Sequence, residues 1–329
     1  PAQAIAGAIK KADPAAEIKF AGRRQGMEYG LVTKAGYPFH HIEINGFQRK
    51  LTPKNIGRNV VAAWHLAISG PRCAAILREV KPDLVIGCGG YVSGPIVRAA
   101  ARKGIHTAIH EQNAFPGVTN KLLAKEVDLV MAASEAAVAK LGAPDKTIVV
   151  GNPVRPELFE QDRAAARAKL DAGDKTVILS FGGSLGARRI NEVVADLCAW
   201  EQKNQQKILH LHATGSRGVE LYRNLGKEKG FAPGKNLVVR EYIDNMPELL
   251  AAADLVISRS GALTLAELEA MGRAAVVIEE KDLTGDKLIE TVQGLMSQPG
   301  RLAEMGRNAK TLGRPDSLDL IWAALKKLC

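Results

Sequence analysis

A glycine- and serine-rich segment in the second half of the chain has the composition of a diphosphate-binding turn. Residues 176–181 are an apolar, β-branched run typical of a buried parallel strand, and apolar positions after residue 186 recur with helical spacing. The turn between them contains Gly182, Gly183, Ser184 and Gly186. Glycines let backbone N–H groups approach an anion, the serine adds a hydroxyl donor, and a helix N-terminus supplies roughly half a positive charge. The segment therefore predicts a diphosphate cradle, although a tight turn that binds nothing has the same composition.

The same pattern of a strand, a glycine- and serine-rich turn and a helix occurs twice more. Asp83–Gly87 reads as a strand and runs into a turn with Gly89, Gly90 and Ser93, followed by a helix with a proline in its first turn. A third strand, Asp254–Ser258, leads into Arg259-Ser260-Gly261 and another helix. The turn with Gly89, Gly90 and Ser93 is predicted to be a phosphate-binding loop like the first.

A polar run, His110-Glu111-Gln112-Asn113, follows a further strand. Open α/β sheets bind their ligands at the carboxyl ends of the strands, where a base such as Glu111 and an amide such as Asn113 could act. Four polar residues at a strand end can equally be loop and cap residues, so the run alone leaves both interpretations open.

Helices separate most of the strands in both halves, which predicts an α/β fold with mainly parallel sheets. A length of 329 residues favours two domains, and the turn-rich Gly151–Pro156 marks the expected boundary. Both halves are built alike, so we expect two facing Rossmann-like domains with a ligand cleft between them.

Composition and missing motifs exclude several classes. The chain has no run of eighteen apolar residues and no visible signal peptide, so a cytosolic protein is expected, and its four cysteines, far apart in sequence, read as reduced thiols. The cradle is not G-x-G-x-x-G, which disfavours NAD, and a G-x-x-x-x-G-K-[ST] motif is absent. Neither a cofactor nor a metal at the diphosphate is predicted, since no Asp-x-Asp pair occurs. His210 and His212 share a strand face, but without an evident third ligand we interpret them as structural.

One stretch is unusually basic. The segment between Glu43 and Glu79 contains no acid, and the formal net charge of the chain is +10. A basic amphipathic segment with a tryptophan suits an anionic membrane surface, whereas an ordinary helix with solvated charges has the same pattern. The residues predicted to face the membrane are Arg49, Lys50, Lys54, Arg58 and Trp64.

Five motifs in order make the interpretation specific. They are Gly89–Pro95, His110–Asn113, Gly151–Arg155, Gly182–Ala187 and Arg259–Thr264. With these motifs the chain resembles the MurG family, bacterial N-acetylglucosaminyltransferases of the GT-B fold that convert lipid I to lipid II in peptidoglycan synthesis. The resemblance covers nearly the whole chain.

The resemblance implies a site. Ser184 would contact the diphosphate of UDP-N-acetylglucosamine, Ile243 the uracil and Glu267 the ribose hydroxyls. Asn113 would contact the donor sugar, and Arg155 would approach the nucleotide-sugar. On the acceptor side the resemblance places Tyr91 and Glu111. The segment implied to bind the nucleotide consists of Ala262, Leu263, Thr264, Leu265, Ala266 and Glu267.

The resemblance also implies domain roles: residues 1–152 for the lipid I acceptor and the membrane, 153–314 for UDP-N-acetylglucosamine, and 315–329 as a helix returning to the first domain. Two family segments are missing from the sequence, one before Pro1 and one near Arg273–Ala274. The first carries the family's histidine, the leading candidate for the general base, which leaves Glu111 as the second. The family works at the cytoplasmic face of the plasma membrane as a peripheral enzyme, with cell-wall synthesis proteins as possible partners.

Two other functions fit parts of the sequence. A UDP-N-acetylglucosamine 2-epimerase shares the fold and the donor but needs no basic, lipid-facing stretch. A nucleic-acid-binding protein would explain the positive charge, but the sequence shows no recognition motif and only 5% aromatic residues for base stacking.

Overall fold

The computed structural model describes residues 1–25, 27–44, 52, 68–270, 276–298, 300–310 and 313–328. The chain divides into two compact units. Unit 1 comprises Pro1–Val154 and Arg314–Cys329, and unit 2 comprises Arg155–Gly313. Within the described ranges, no helix is both long enough and apolar enough to cross a membrane.

Unit 1 alternates helices and parallel strands. Its elements are α1 (Ala2–Ala12), β1 (Phe20–Gly22), α2 (Met27–Lys34), β2 (Phe39–His41), α3 (68–80), β3 (Leu84–Gly87), α4 (Gly90–Ala101), β4 (His106–Glu111), α5 (Val118–Leu123), β5 (Leu129–Ala132), α6 (Glu135–Leu141), β6 (Thr147–Val149) and α14 (Ser317–Leu325). The order of the larger sheet is β3-β4-β5-β6, and β1 pairs with β2.

Helices cover both faces of the larger sheet of unit 1. Side chains alternate along a strand, so neighbouring residues of β4 enter different cores. Ile109 packs into a cluster with residues of α3, α4 and α6, whereas Ala108 packs with Ile5 of α1 and Ile321 of α14. The carboxy-terminal helix α14 thus completes one face of unit 1.

Unit 2 repeats this plan. Its elements are α7 (Arg163–Lys169), β7 (Thr176–Phe181), α8 (Arg188–Lys203), β8 (Ile208–Ala213), α9 (Val219–Lys229), β9 (Leu237–Arg240), α10 (Met246–Ala252), β10 (Leu255–Ser258), α11 (Ala262–Ala270), α12 (Gly285–Met296) and α13 (Arg301–Lys310). These four strands pair in parallel, in the order β10-β7-β8-β9. Helix α8 buries the predicted apolar positions Ile190, Val193, Val194 and Leu197.

The sequence Asp-Leu-Val occurs three times, at residues 83–85, 128–130 and 254–256, and the structure explains the aspartate in the second and third copies. The carboxylate of Asp128, just before β5, accepts the N–H of Thr107 at 2.7 Å. Asp254, just before β10, accepts the N–H of Val177 at 2.8 Å. Each aspartate therefore accepts a backbone N–H at the start of a neighbouring strand. The repeated sequence thus helps to hold the sheets together.

The predicted α/β fold with parallel sheets is confirmed, with two local corrections. The alternating pattern of residues 41–44 predicts a strand there, but β2 is Phe39–His41, because pairing starts immediately after Pro38, whose carbonyl accepts the N–H of Phe20 at 2.9 Å. Pro95 lies inside α4 and not in its first turn, because the helix begins at Gly90 after Gly89 with φ +83°.

Candidate functional site

The turn between β7 and α8, residues 182–187, is here called the cradle. Gly186 adopts φ +81°, a left-handed conformation that favours glycine, and its N–H donates to the carbonyl of Gly183 at 2.9 Å. A Cβ atom on Gly186 would lie 2.1 Å from the carbonyl oxygen of Thr214. Glycine is therefore required here on two grounds, backbone conformation and close approach of a neighbouring chain segment.

A second loop, residues 214–218, holds the cradle in place. The N–H of Ser216 donates to the carbonyl of Ser184 at 3.2 Å. Asn191, buried in the first turn of α8, donates through Nδ2 to the carbonyl of Thr214 at 3.0 Å. We missed this loop in the sequence, although its Gly-x-x-Gly spacing after β8 was a usable signal.

Two helices that follow glycine-rich turns begin without a side-chain cap. The residues before α4 and α8 are Gly89 and Ala187, neither of which carries a side-chain oxygen. Helix N-termini usually have Ser, Thr, Asp or Asn at this position, which satisfies one of the first backbone N–H groups. A bound anion can take that role.

The cradle lies where the strand order of unit 2 reverses. Successive strands β7, β8 and β9 lie to one side, and β10 pairs with β7 on the other. In open α/β sheets, ligands bind outside the carboxyl ends of the strands at such a switch point. The cradle after β7 and the turn 259–261 after β10 flank that position.

Two predicted donor-site residues meet in unit 2. Arg155 Nε lies 3.1 Å from Glu267 Oε1, and the two side chains are 44% and 19% exposed. The segment 262–267 is half-buried along its length in α11. Ile243, in the loop after β9, is only 5% exposed. Little of Ile243 is therefore accessible to a ligand.

In unit 1 the carboxylate of Glu111 organises the loop after β4. It is 2% exposed and accepts four hydrogen bonds. Oε1 accepts the backbone N–H and the Nδ2 of Asn113, each at 2.9 Å, while Oε2 accepts the N–H of Gly117 at 3.1 Å and Nδ2 of Asn120 at 2.9 Å. This geometry favours a positioning role, since the lone pairs a general base would use are engaged within the loop.

His110, next to Glu111, is held neutral by its surroundings. Burial lowers its pKa to about 4. Nε2 lies 2.9 Å from the carbonyl of Gly151 and donates to it, so Nδ1 accepts from Gln112 Nε2 at 3.1 Å. The histidine thereby ties the loop after β4 to the segment after β6.

The remaining predicted residues of unit 1 lie near this loop or at the start of α4. Tyr91, in the first turn of α4, is 54% exposed. Ser93 is buried, and its hydroxyl donates to the carbonyl of Gly90 at 2.9 Å, so it braces the helix instead of facing a ligand. Asn113 is exposed beyond its bonds to Glu111.

His210 and His212 are joined by a serine. Ser180 Oγ lies 2.7 Å from His210 Nε2 and 2.7 Å from His212 Nδ1. Burial disfavours the charged form of both histidines. For His212 burial prevails, and its pKa falls to about 3. For His210 the neighbouring Cys198 and Glu201 outweigh burial and raise the pKa to about 10. No sequence motif indicates that these two α8 residues are neighbours of His210.

The predicted membrane-facing residues lie outside the described part of the chain. They are Arg49, Lys50, Lys54, Arg58 and Trp64. The expected gap near Arg273–Ala274 also falls there.

Comparison with known proteins identifies the class. Residues 1–132 match the N-terminal domain and residues 177–279 the C-terminal domain of glycosyltransferase family 28. The chain belongs to this family of GT-B enzymes. It is similar to proteins named UDP-N-acetylglucosamine–N-acetylmuramyl-(pentapeptide) pyrophosphoryl-undecaprenol N-acetylglucosamine transferase. One is from Desulforamulus reducens (36% identity, 100% of this chain, 95% of the relative), another from Desulforudis audaxviator (38%, 100%, 94%).

A solved structure agrees with these relatives. The crystal structure of Acinetobacter baumannii MurG matches with a TM-score of 0.72 and 26% identity, covering 99% of this chain and 95% of that one. The predicted resemblance to the MurG family is thus confirmed. The alignment with the Desulforamulus enzyme spans 357 positions against the 329 residues here, so at least 28 aligned positions are gaps in this chain.

Proposed function

We infer that the protein transfers N-acetylglucosamine from UDP-N-acetylglucosamine to the N-acetylmuramyl sugar of an undecaprenyl-pyrophosphoryl pentapeptide, lipid I. The observation that carries this function is the identity of 36–38% over the full chain with transferases of that name. The cradle at the switch point of unit 2 supports it, because a nucleoside diphosphate is the ligand such a position accommodates.

The reaction is a single displacement with inversion. The C4 hydroxyl of the acceptor sugar attacks the anomeric carbon of the donor, the bond to the diphosphate breaks, and a β-1,4 linkage and UDP form. Negative charge grows on the leaving diphosphate. The cradle N–H groups, the Ser184 hydroxyl and the uncapped N-terminus of α8 are the groups of this chain that stabilise that charge. Such preorganised electrostatic stabilisation usually accounts for most of the rate enhancement in reactions of this kind.

Arg155 and Glu267 form a second part of the proposed donor site. The half-exposed guanidinium and the carboxylate are paired at 3.1 Å. We propose that the carboxylate accepts hydrogen bonds from the ribose hydroxyls and that Arg155 both orients it and draws the anionic donor. The acceptor hydroxyl must also lose its proton to a base. We propose that Glu111 positions Asn113 through its hydrogen bonds, which leaves the histidine implied by the family resemblance as the candidate base.

The cradle assignment is tested with Ser184→Ala. Loss of one preorganised donor to the leaving group lowers turnover by about 10²–10³, while the fold is retained. Ser297→Ala is the matched control, since this serine lies at the end of α12 and donates to the carbonyl of Gly294 at 3.2 Å. Equal turnover by the parent and Ser184→Ala at saturating donor would show that the cradle does not bind the diphosphate.

We further propose that the enzyme acts as a peripheral protein at an anionic membrane surface, through the acid-free segment between Glu43 and Glu79. Each basic residue near such a surface contributes about 1 kcal/mol. Replacing Arg49, Lys50, Lys54 and Arg58 by glutamine is expected to reduce sedimentation with phosphatidylglycerol vesicles at low salt and to spare activity on a short-chain acceptor. Four lysines of unit 2, replaced in the same way, provide the control: Lys203, Lys207, Lys227 and Lys235. Vesicle binding equal to the parent in the first variant would contradict the proposal.

A further inference from the structure

A buried polar cluster lies between α8 and β8 in unit 2 and has no part in the proposed reaction. We call it the Cys–Glu–His cluster: Cys198, Glu201 and His210. Cys198 and Glu201 are three residues apart and share one face of α8, and His210 faces them from β8. The side chains are 0%, 7% and 0% exposed, and one ligand atom from each lies within 4.8 Å of the others.

The donor atoms converge on one point. His210 Nδ1 lies 2.9 Å from both carboxylate oxygens of Glu201 and 3.6 Å from Cys198 Sγ. A single N–H on Nδ1 can be shared between the two carboxylate oxygens, but the thiol then gains little from the histidine. A cation bound by the sulfur, the carboxylate and Nδ1 would satisfy all three side chains together. Bond lengths of 2.3 Å to sulfur and 2.0–2.1 Å to nitrogen place tetrahedral zinc ligands about 3.5 Å apart, close to the observed Sγ–Nδ1 distance.

The second ring nitrogen of His210, Nε2, has a fixed hydrogen-bond partner, as in most metal-bound histidines. Nε2 lies 2.7 Å from Ser180 Oγ, and the same oxygen lies 2.7 Å from His212 Nδ1. When Nδ1 binds a metal, the ring proton sits on Nε2 and donates to Ser180, whose hydroxyl donates to His212. A hydrogen bond from the second nitrogen to a fixed partner is the usual support of a metal-bound histidine. His212 is thus a supporting residue and not a ligand.

The charges of the cluster also fit a divalent cation. A thiolate and a carboxylate together bring two negative charges into a fully buried site, where unbalanced charge is costly. The hydroxyl of Tyr222 lies 3.2 Å from Cys198 Sγ and donates to it, which supports a thiolate at this position. We propose that Cys198, Glu201 and His210 bind one zinc-class divalent cation, for which Sγ, Nδ1 and the two carboxylate oxygens offer four donor atoms.

The bound cation would stabilise the folded state of unit 2. Because the donors are fully buried, the cation is bound as unit 2 folds, and its binding energy adds to the folding energy. It fastens α8, whose first turn follows the cradle, to the middle of the sheet. The proposal does not depend on which sugar nucleotide unit 2 binds.

The test is metal analysis of the purified full-length chain. After expression with added zinc and gel filtration in metal-free buffer, we expect about one zinc per chain by mass spectrometry. Protein refolded with cobalt(II) is expected to show a thiolate-to-cobalt charge-transfer band. Parent protein with far less than one zinc and without that band would overturn the proposal, leaving a metal-free Glu201–His210 ion pair.

Variants separate this site from surface-bound metal. Cys198→Ser is expected to lose the bound zinc and the cobalt band. Cys73→Ser removes an equally buried thiol of unit 1 and is expected to keep both. Zinc retained equally by the two variants would also overturn the proposal. Should Cys198→Ser fail to fold, the zinc content and cobalt spectrum of the parent and of Cys73→Ser decide the question.

Discussion

Replacing Glu111 by glutamine separates a positioning role from a catalytic one. The substitution keeps the shape of the side chain but converts one oxygen that accepts two hydrogen bonds into an amide that donates. If the amide occupies the Oε2 position, the N–H of Gly117 and the Nδ2 of Asn120 lose their acceptor. The loop that positions Asn113 then loses part of its support.

The structure sets the size of the effect. Hydrogen bonds to a charged group contribute roughly 1.5–3 kcal/mol each, so losing two costs about 3–6 kcal/mol. Asn120 can recover one by turning its amide, because its Oδ1 has no partner among the described residues. The free energy of unfolding is therefore expected to fall by about 2–4 kcal/mol.

Urea unfolding and steady-state kinetics measure the two consequences. We expect a lower unfolding midpoint and a kcat within about tenfold of the parent under conditions where the variant is folded, whereas loss of a general base costs about 10²–10⁴. Glu135→Gln, at an exposed position in α6, is the control. Unchanged stability together with a kcat loss of that larger size would refute the positioning role and restore Glu111 as the base.

Three further predictions follow from single contacts. Gly186→Ala is expected to destabilise the protein by about 2 kcal/mol or more in urea unfolding, because a left-handed conformation costs about 1–2 kcal/mol and the new Cβ meets Thr214; equal stability would refute the cradle geometry. Because the pKa of His110 is about 4 in the folded protein, below the unfolded value of 6.5, its neutral form stabilises the fold above pH 6.5, and this contribution is lost as the pH falls toward 4. Relative to His110→Asn, the parent is expected to lose about 2 kcal/mol between pH 6.5 and 5, at 1.36 kcal/mol per pH unit; parallel stability curves would contradict this. Glu267→Ala is expected to weaken UDP binding in calorimetry by roughly 1.5–3 kcal/mol, and unchanged affinity would exclude a ribose contact.

Most of the fold could be predicted from the sequence because the apolar patterns of strands and helices involve residues close together in the chain. Runs such as Thr176–Phe181 are buried as expected, and the helical spacing of α8 matches its core face. The start of β2 was misplaced because pairing depends on the carbonyl of Pro38, a contact that residue types do not reveal.

Residues of the candidate site were predicted from the sequence only where they belong to a recognisable motif. The cradle, Arg155 and Glu267 were each identified from motifs, but the ion pair between Arg155 and Glu267 was not. The bonding of Glu111 involves Gly117 and Asn120, six and nine residues away, in a loop without periodicity. The neighbours of His210 come from a helix, and only the packing of α8 on β8 brings them within reach.

The central claim is tested most directly by following labelled N-acetylglucosamine. The protein is incubated with UDP-N-acetylglucosamine labelled in the sugar and with lipid I, and the lipid fraction, UDP and the remaining sugar nucleotide are separated. We predict label in the lipid fraction in amounts equal to the UDP released, dependent on lipid I and strongly reduced in Ser184→Ala. Conversion of the donor to UDP-N-acetylmannosamine without an acceptor, or no transfer to lipid I by folded protein, would contradict the account.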